Sequence, residues 1–96
     1  MKKLDLGCGL EPRAGWFNLD WNVRTILFNE NTATINWEAP NEIPFSDNFM
    51  DFIYTSHFLE HLHHQDAVST LKECFRVLKQ GGTLSIVLPN AGELIR

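Results

Sequence analysis

The sequence predicts an α/β domain built on a mostly parallel sheet, and three observations lead to this prediction. Short apolar segments of strand length recur along the 96 residues. A long amphipathic segment separates the last two of them, and a helix between near-continuous apolar strands is typical of a crossover in a parallel sheet. The first apolar segment runs directly into the glycine turn 7–9. We therefore expect one domain spanning residues 1–96, with ligands at the carboxyl ends of its strands.

Five segments have the length and apolar character of buried strands. They are residues 3–6, 16–20, 34–37, 51–55 and 83–88. Residues 22–33 are compatible with either a short helix or an irregular loop. Because only residues 89–96 follow the fifth segment, we expect strand 83–88 to form an unprotected edge of the sheet, and we expect a second copy of the chain to cover that edge as a homodimer.

Residues 66–79 show the clearest helical pattern. Asp66 is placed to cap the start, and the pair Gly81-Gly82 is expected to end the helix. Apolar residues recur at helical spacing at Ala67, Val68, Leu71, Cys74, Phe75 and Leu78.

Composition narrows the classes of function. The formal net charge of -4 and the scattered basic residues argue against a nucleic-acid partner. No apolar stretch approaches the roughly 20 residues needed to span a bilayer, and Asp5 interrupts the apolar run that a signal peptide requires. Two cysteines do not indicate a disulfide framework. We expect a soluble, cytoplasmic protein without a membrane partner.

The glycine turn and a downstream carboxylate indicate a nucleoside-like ligand. Gly7 and Gly9 lack the Cβ atoms that keep a bulky ligand away from the main chain. Asp20 ends the second predicted strand, where a carboxylate can accept hydrogen bonds from both hydroxyl groups of a ribose.

These features occur in an order and at a spacing that resemble the class I S-adenosylmethionine-dependent methyltransferases of the type 11 kind. The resemblance rests on residues 4–9, 15–20, 43–54, 56–61 and 76–88. It implies a three-layer, Rossmann-like domain that binds S-adenosylmethionine and transfers its methyl group. Members of this family methylate small molecules, lipids, sugars and macromolecules, so the resemblance does not select an acceptor.

The resemblance also assigns roles to individual residues. It implies that Asp20 holds the ribose, and that Asn36 and Trp37 contact the adenine, with Asn36 standing where the family often has an aspartate. Ser56 is expected to lie at the carboxyl end of the fourth strand and to face the cofactor. The amino acid end of the cofactor is expected near the first loop, at Asp5, Gly7, Cys8 and Gly9.

His57 has two interpretations. At the end of the fourth strand it suits a general base, because histidine titrates near neutral pH; alternatively, it only caps or packs against the following helix. The sequence from His57 to His61 also matches the His-x-x-Glu-His pattern of zinc hydrolases, but no third ligand with a supporting motif follows, so we predict no metal site. Glu60 is expected to be structural or solvent-facing, and adventitious metal binding by His61, His63 and His64 is more plausible than a catalytic zinc.

The sequence departs from the family in two further places. Only residues 10–14 separate Gly9 from Gly15, and they include Pro12, so the first helix of the family is expected to be missing or a single turn. The usual C-terminal antiparallel hairpin is expected to be absent.

Two other functions remain open. A minimal module that binds S-adenosylmethionine or S-adenosylhomocysteine without catalysis would need fewer residues for an acceptor. An NAD-binding oxidoreductase would require a third glycine where Pro12 stands and an acid about 20 residues further on.

Overall fold

The computed structural model describes residues 1–8, 12–21, 26–29, 32–88 and 92–95, and for 26–29, 32 and 92–95 it describes the backbone alone. The strands in these ranges form one sheet of order β3-β4-β2-β1-β5-β6-β7. Their bounds are β1 (Lys3–Leu6), β2 (Phe17–Asp20), β3 (Ile26–Asn29), β4 (Thr32–Asn36), β5 (Met50–Ser56), β6 (Leu78–Leu88) and β7 (Gly92–Ile95). A 3-10 turn (Leu59–His61) and the helix α1 (His64–Val77) connect β5 to β6.

Five central strands are parallel, and an antiparallel strand lies at each side. The pairs β4–β2, β2–β1, β1–β5 and β5–β6 are parallel, whereas β3–β4 and β6–β7 are antiparallel. Leu4, Leu6, Leu19 and Ile53 are fully buried, as expected for strands at the centre of such a sheet. The predicted α/β class with a mostly parallel sheet is confirmed.

The first helix expected of the family is absent from the described part of the β1–β2 connection. Residues 12–16 contain turns and no helix. Asn18 stabilises this connection, because its amide group donates to the Arg13 and Trp16 carbonyl oxygens and accepts from the Arg13 N–H at 2.9 Å. The described residues therefore contain one α-helix, α1.

Residues 26–29 correct the ambiguous reading of the segment 22–33. They form β3, an edge strand that pairs antiparallel with β4 through Ile26↔Thr34 and Leu27↔Ala33. Neither a helix nor an irregular loop describes them.

The C-terminal edge differs from the prediction. β7 pairs antiparallel with β6 from Ser85↔Ile95 to Leu88↔Gly92. The predicted exposure of strand 83–88 is therefore wrong, and an antiparallel strand stands where none was expected. The homodimer was proposed because that edge was expected to be unprotected, and β7 removes this reason for it.

The helix begins and ends two residues before its predicted bounds. His63 occupies the N-cap position without a side-chain hydrogen bond, and Asp66 lies in the first turn, where a carboxylate favours the helix dipole. The helix ends before Leu78, whose extended backbone pairs with Met50. This pairing begins β6 ahead of the glycine pair that was expected to end the helix.

Arg76 joins the C-terminal half of α1 to the loop before β5. Its guanidinium donates to both carboxylate oxygens of Glu73 at 2.9 Å and to Asp47 Oδ1 at 2.8 Å. It also donates to the carbonyl oxygens of Phe45 and Ile43, at 2.9 and 2.7 Å. Glu73 Oε1 accepts the Ile43 N–H at 2.8 Å, so one ion pair fixes several groups of the loop. The hydrogen bonds from Arg76 are the largest cause of a lowered pKa of Glu73.

None of the helices in the described ranges has the length and apolar character of a segment that crosses a membrane.

Candidate functional site

The carboxyl ends of the parallel strands meet at one edge of the sheet. The register pairs Leu6 with both Leu19 and Thr55, and Asp20 with Asn36. Because these strands run in the same direction, the residues that follow them converge. The structure thus brings Gly7, Asp20 and His57 to a single cavity of about 480 Å³, which we call the first cavity.

The glycine turn is held by its own main chain. Gly7 has a φ of +79°, and the N–H groups of Gly7 and Cys8 both donate to the Leu19 carbonyl oxygen, at 2.8 and 3.2 Å. A Cβ atom on Gly7 would lie 2.7 Å from the ring of Phe58. The close approach that requires a glycine here is made by a side chain of the protein itself. Gly9 lies outside the described residues.

The first cavity has aromatic walls and acidic groups. Asp20 Oδ1 accepts the N–H of Trp21 at 2.7 Å. The complete lining comprises Gly7, Asp20, Trp21, Trp37, Glu38, Ala39, His57, Phe58, His61 and Leu62.

Trp21 is a site residue that the sequence reasoning missed. Its side chain is 62% exposed although it borders the first cavity. The available signal was its position directly after Asp20, because a residue that follows a strand-end acid shares the same edge of the sheet. An exposed indole beside a cavity offers a flat apolar face to a ligand.

Trp37 and Asn36 are placed differently from one another. Trp37 lines the first cavity but is 6% exposed, and its indole N–H donates to the Asn41 and Glu42 carbonyl oxygens at 3.1 Å each. Asn36 is not among the lining residues, and its amide nitrogen donates to the Trp21 carbonyl oxygen at 2.5 Å. Asn36 therefore supports Trp21 from the neighbouring strand.

A second cavity of about 590 Å³ also borders the glycine turn. It brings together the predicted residues Asp5, Cys8 and Ser56, and Gly7 borders both cavities. Its full lining is Asp5, Gly7, Cys8, Pro12, Arg13, Tyr54 and Ser56.

Arg13 is the second residue that the sequence reasoning missed. Its Nε donates to Asp5 Oδ2 at 3.0 Å, and its guanidinium carbon lies 4.8 Å from the centre of the Tyr54 ring and 5.2 Å from that of Trp16. Burial raises the pKa of Asp5, and the charge of Arg13 opposes this shift. The second cavity thus contains a positive and a negative group held next to each other.

Cys8 is not an activated nucleophile. Burial, followed by the negative charges of Asp20 and Asp5, raises the pKa of its thiol to about 11. The thiol is protonated at neutral pH, which agrees with a role as a small side chain in a tight turn.

His57 is fixed at its backbone. Its φ is +54°, which is unusual for a residue with a side chain, and its N–H donates to the Val87 carbonyl oxygen at 2.9 Å. It does not cap α1, because His63 occupies the N-cap position. The Nδ1 atom of His57 lies 3.7 Å from Glu60 Oε1, and the side chain of Glu60 is 25% exposed. Glu60 thus faces the imidazole, where the sequence predicted a structural or solvent-facing role.

Within the described ranges, no three His, Cys, Asp or Glu side chains come together in an arrangement that could hold a metal ion. The zinc-hydrolase pattern of residues 57–61 therefore gains no ligand set from this part of the chain.

A family model described as a methyltransferase domain matches residues 4–86. Ubiquinone/menaquinone biosynthesis C-methyltransferases from three strains of Neisseria meningitidis are 41% identical to the chain over 65 residues. The match covers 67% of this chain and 26% of each relative, so the chain spans about a quarter of the length of these curated relatives.

Three solved structures with a similar fold are methyltransferases or assemblies that contain one. An S-adenosylmethionine-dependent methyltransferase from Aquifex aeolicus matches 90% of this chain and 55% of its own, with a TM-score of 0.63 and 23% identity. A methyltransferase from Methanococcus maripaludis, described as S-adenosylmethionine-dependent, matches 88% of this chain and 46% of its own, with a TM-score of 0.66 and 20% identity. A complex of the Haloferax volcanii Trm112 methyltransferase activator and a methyltransferase gives a TM-score of 0.67 at 21% identity, covering 88% of this chain and 43% of that one. At these identities the similarity concerns the fold.

Proposed function

The chain belongs to the methyltransferase-domain family, and from that membership we propose that it transfers the methyl group of S-adenosylmethionine to an acceptor. The observation that carries the proposal is that Gly7 and Asp20 border one cavity of about 480 Å³. This volume is in the range of small-molecule sites, which is roughly 300–1,000 Å³.

The first cavity suits the adenosine part of the cofactor. The carboxylate of Asp20 can accept hydrogen bonds from the two hydroxyl groups of a ribose. The exposed indole of Trp21 and the buried indole of Trp37 supply apolar surface for the adenine. We assign the adenine contact to Trp21 and Trp37, with Asn36 supporting Trp21 through its carbonyl oxygen.

The second cavity suits the amino acid end. An α-amino acid carries a carboxylate and an ammonium group, and Arg13 and Asp5 present the complementary charges at 3.0 Å from each other. Because Gly7 borders both cavities, the glycine turn is where the two halves of one ligand would meet.

The same turn argues against a dinucleotide. Pyrophosphate recognition in a glycine loop uses free main-chain N–H groups. The N–H groups of Gly7 and Cys8 already donate to the Leu19 carbonyl oxygen. These two donors are therefore not available to a phosphate oxygen.

When bound, S-adenosylmethionine supplies an electrophilic methyl group on a positively charged sulfur. The chain orients the donor through Asp20 and the glycine turn, and its aromatic walls keep water from the reacting atoms. His57 borders the first cavity, and we propose that it removes a proton from an acceptor that carries one. We also propose a cytoplasmic location, because the free thiols Cys8 and Cys74 suit a reducing compartment.

Isothermal titration calorimetry of the full chain with S-adenosylmethionine, S-adenosylhomocysteine and NAD tests the proposal. We expect Asp20→Ala to weaken binding of both adenosyl ligands by at least about 100-fold, since two hydrogen bonds to a charged group are lost. Glu38→Ala is the matched control, because Glu38 borders the same cavity without lying at a strand end. NAD binding, unchanged affinity in Asp20→Ala, or an equal loss in Glu38→Ala would overturn the assignment.

Transfer is tested separately from binding. Purified chain is incubated with cofactor bearing a tritium-labelled methyl group and a small-molecule extract, and label in new products is measured. We expect His57→Asn to lose transfer while keeping affinity, since asparagine tolerates the left-handed backbone found at this position. Uptake of the cofactor without labelled products would instead favour the binding module.

A further inference from the structure

The carboxylate of Glu60 lies between two imidazoles beside the first cavity. Glu60 Oε1 is 3.7 Å from His57 Nδ1 and 3.9 Å from His61 Nε2. Glu60 follows His57 by three residues, and it lies in the 3-10 turn Leu59–His61, which begins three residues after the end of β5. His57 and His61 border the first cavity, whereas Glu60 does not.

The exposure of Glu60, His57 and His61 indicates which of these side chains orients the others. Glu60 is 25% exposed, whereas His57 is 57% and His61 is 75% exposed. The carboxylate is therefore the most shielded member, and it faces the Nδ1 side of His57. A carboxylate beside one imidazole nitrogen favours the tautomer with the proton on that nitrogen, which leaves the other nitrogen as an acceptor.

We propose that Glu60 is a positioning residue that holds His57 in its Nδ1–H tautomer, so that His57 Nε2 takes a proton from the methyl acceptor. This inference rests on the proposed function and deepens it, because it selects acceptors whose nucleophilic atom bears a proton. Hydroxyl and amine groups and acidic carbon atoms belong to this class.

Methyl transfer and the accompanying proton transfer together form two bonds and break two. The acceptor's lone pair, or the electron pair of its bond to hydrogen, forms the new bond to the methyl carbon. The pair of the broken carbon–sulfur bond stays on sulfur, which becomes a neutral thioether. The acceptor's proton moves to Nε2 of His57, and the resulting imidazolium lies beside the negative charge of Glu60.

The backbone of His57 supports this role. The left-handed φ of +54° and the hydrogen bond from its N–H to Val87 fix the point from which the ring projects. Residues held in such sparsely populated conformations are concentrated at functional sites. The other charged or titratable groups that border the first cavity with His57 are Asp20, Glu38 and His61.

The test is the tautomer of His57, observed by long-range proton–nitrogen correlation NMR on the full chain at mildly alkaline pH with EDTA present. In the wild type we expect a protonated Nδ1 and a bare Nε2. Glu60→Ala should change the tautomer ratio about tenfold toward Nε2–H, as expected for the loss of a contact with a charged group. Glu60→Gln should give an intermediate ratio, because it keeps an acceptor oxygen near Nδ1 and loses the negative charge.

Two controls separate this proposal from the proposed function. His61→Asn should leave the His57 tautomer unchanged, and Glu60→Ala should bind S-adenosylhomocysteine as the wild type does, because Glu60 does not border the cavity. Retained dispersion of the NMR spectrum shows that a variant folds. If Glu60→Ala does not fold, Glu60→Gln takes its place in the test. An Nε2–H tautomer in the wild type, or the wild-type ratio in Glu60→Ala or in a folded Glu60→Gln, would refute the role of Glu60. In that case Asp20→Ala should still lose binding of the adenosyl ligands, so the proposed function would stand without the role of Glu60.

Discussion

Replacing Gly7 by alanine tests the packing of the glycine turn against Phe58. At Gly7 the φ is +79°, and the new Cβ would lie 2.7, 2.8 and 3.0 Å from three atoms of the Phe58 side chain. The left-handed backbone alone costs an alanine roughly 1–2 kcal/mol. Forcing an extra carbon against a packed ring adds about 1–3 kcal/mol. We therefore expect Gly7→Ala to lower the free energy of unfolding by about 2–5 kcal/mol.

Gly15 provides a matched control. It has nearly the same φ, +81°, but a Cβ built there meets no atom within 4 Å. Gly15→Ala should therefore lose only the backbone part, roughly 1–2 kcal/mol. The difference between the two variants isolates the contact with Phe58.

Urea denaturation of the two variants and the wild type measures these free energies, provided that the slope of the transition is unchanged. In thermal melts the difference should be visible, because 1 kcal/mol shifts the Tm of a domain this small by about 4–8 °C. Adding Phe58→Ala to Gly7→Ala should recover part of the loss, with a coupling energy of about 1–3 kcal/mol. Equal destabilisation by Gly7→Ala and Gly15→Ala, or no recovery in the double variant, would refute the packing argument.

Four further predictions concern stability, its pH dependence, ligand affinity and thiol chemistry. Arg76→Met should destabilise the chain by about 2–3 kcal/mol, since Glu73 and the loop carbonyls lose their charged donor. The pKa of Glu73 is lowered in the folded chain, so its contribution to stability is present above the pKa of the unfolded state and is lost as the pH falls through the acid range. Glu73→Gln should therefore weaken the dependence of the unfolding free energy on pH, measured by urea denaturation between neutral and acid pH. Trp21→Ala should weaken S-adenosylhomocysteine binding by about tenfold in calorimetry. It should change the unfolding free energy by less than about 0.5 kcal/mol, because the side chain is largely exposed. A large loss of stability would show that Trp21 belongs to the core. Iodoacetamide should modify Cys8 roughly 100-fold more slowly than a free cysteine at mildly alkaline pH, because the pKa of the Cys8 thiol is raised to about 11. Cys74, with a pKa of about 12, should react more slowly still. Peptide mass spectra measure the labelling, and rapid modification of Cys8 would contradict its desolvated environment.

The central strands and the strand-end residues could be predicted from the sequence because their signals are local. Residues 3–6 form an apolar run that ends in glycine, and β1 has those bounds. Asp20 was found from its position at a strand end, and parallel pairing then places it beside Gly7. Such residues need only the strand direction to be located correctly.

The remaining site residues depend on contacts between distant segments. Arg13 faces Asp5 because Asn18 fixes the β1–β2 connection, and no periodic pattern encodes that turn. Glu60 faces His57 because residues 59–61 form a 3-10 turn, whose three-residue period differs from that of an α-helix. The early end of α1 likewise reflects the pairing of Leu78 with Met50, a tertiary contact that overrides the local helical pattern.

The attachment of the loop before β5 to α1 has a consequence for the dynamics of the chain. The Ile43 N–H donates to Glu73, and the Asn48 and Phe49 N–H groups donate to the carbonyl oxygens of Arg76 and Val77. These amide protons can exchange with solvent only when the loop separates from the end of the helix. A segment with no regular structure of its own should therefore show the slow hydrogen–deuterium exchange of the helix, as one cooperative unit.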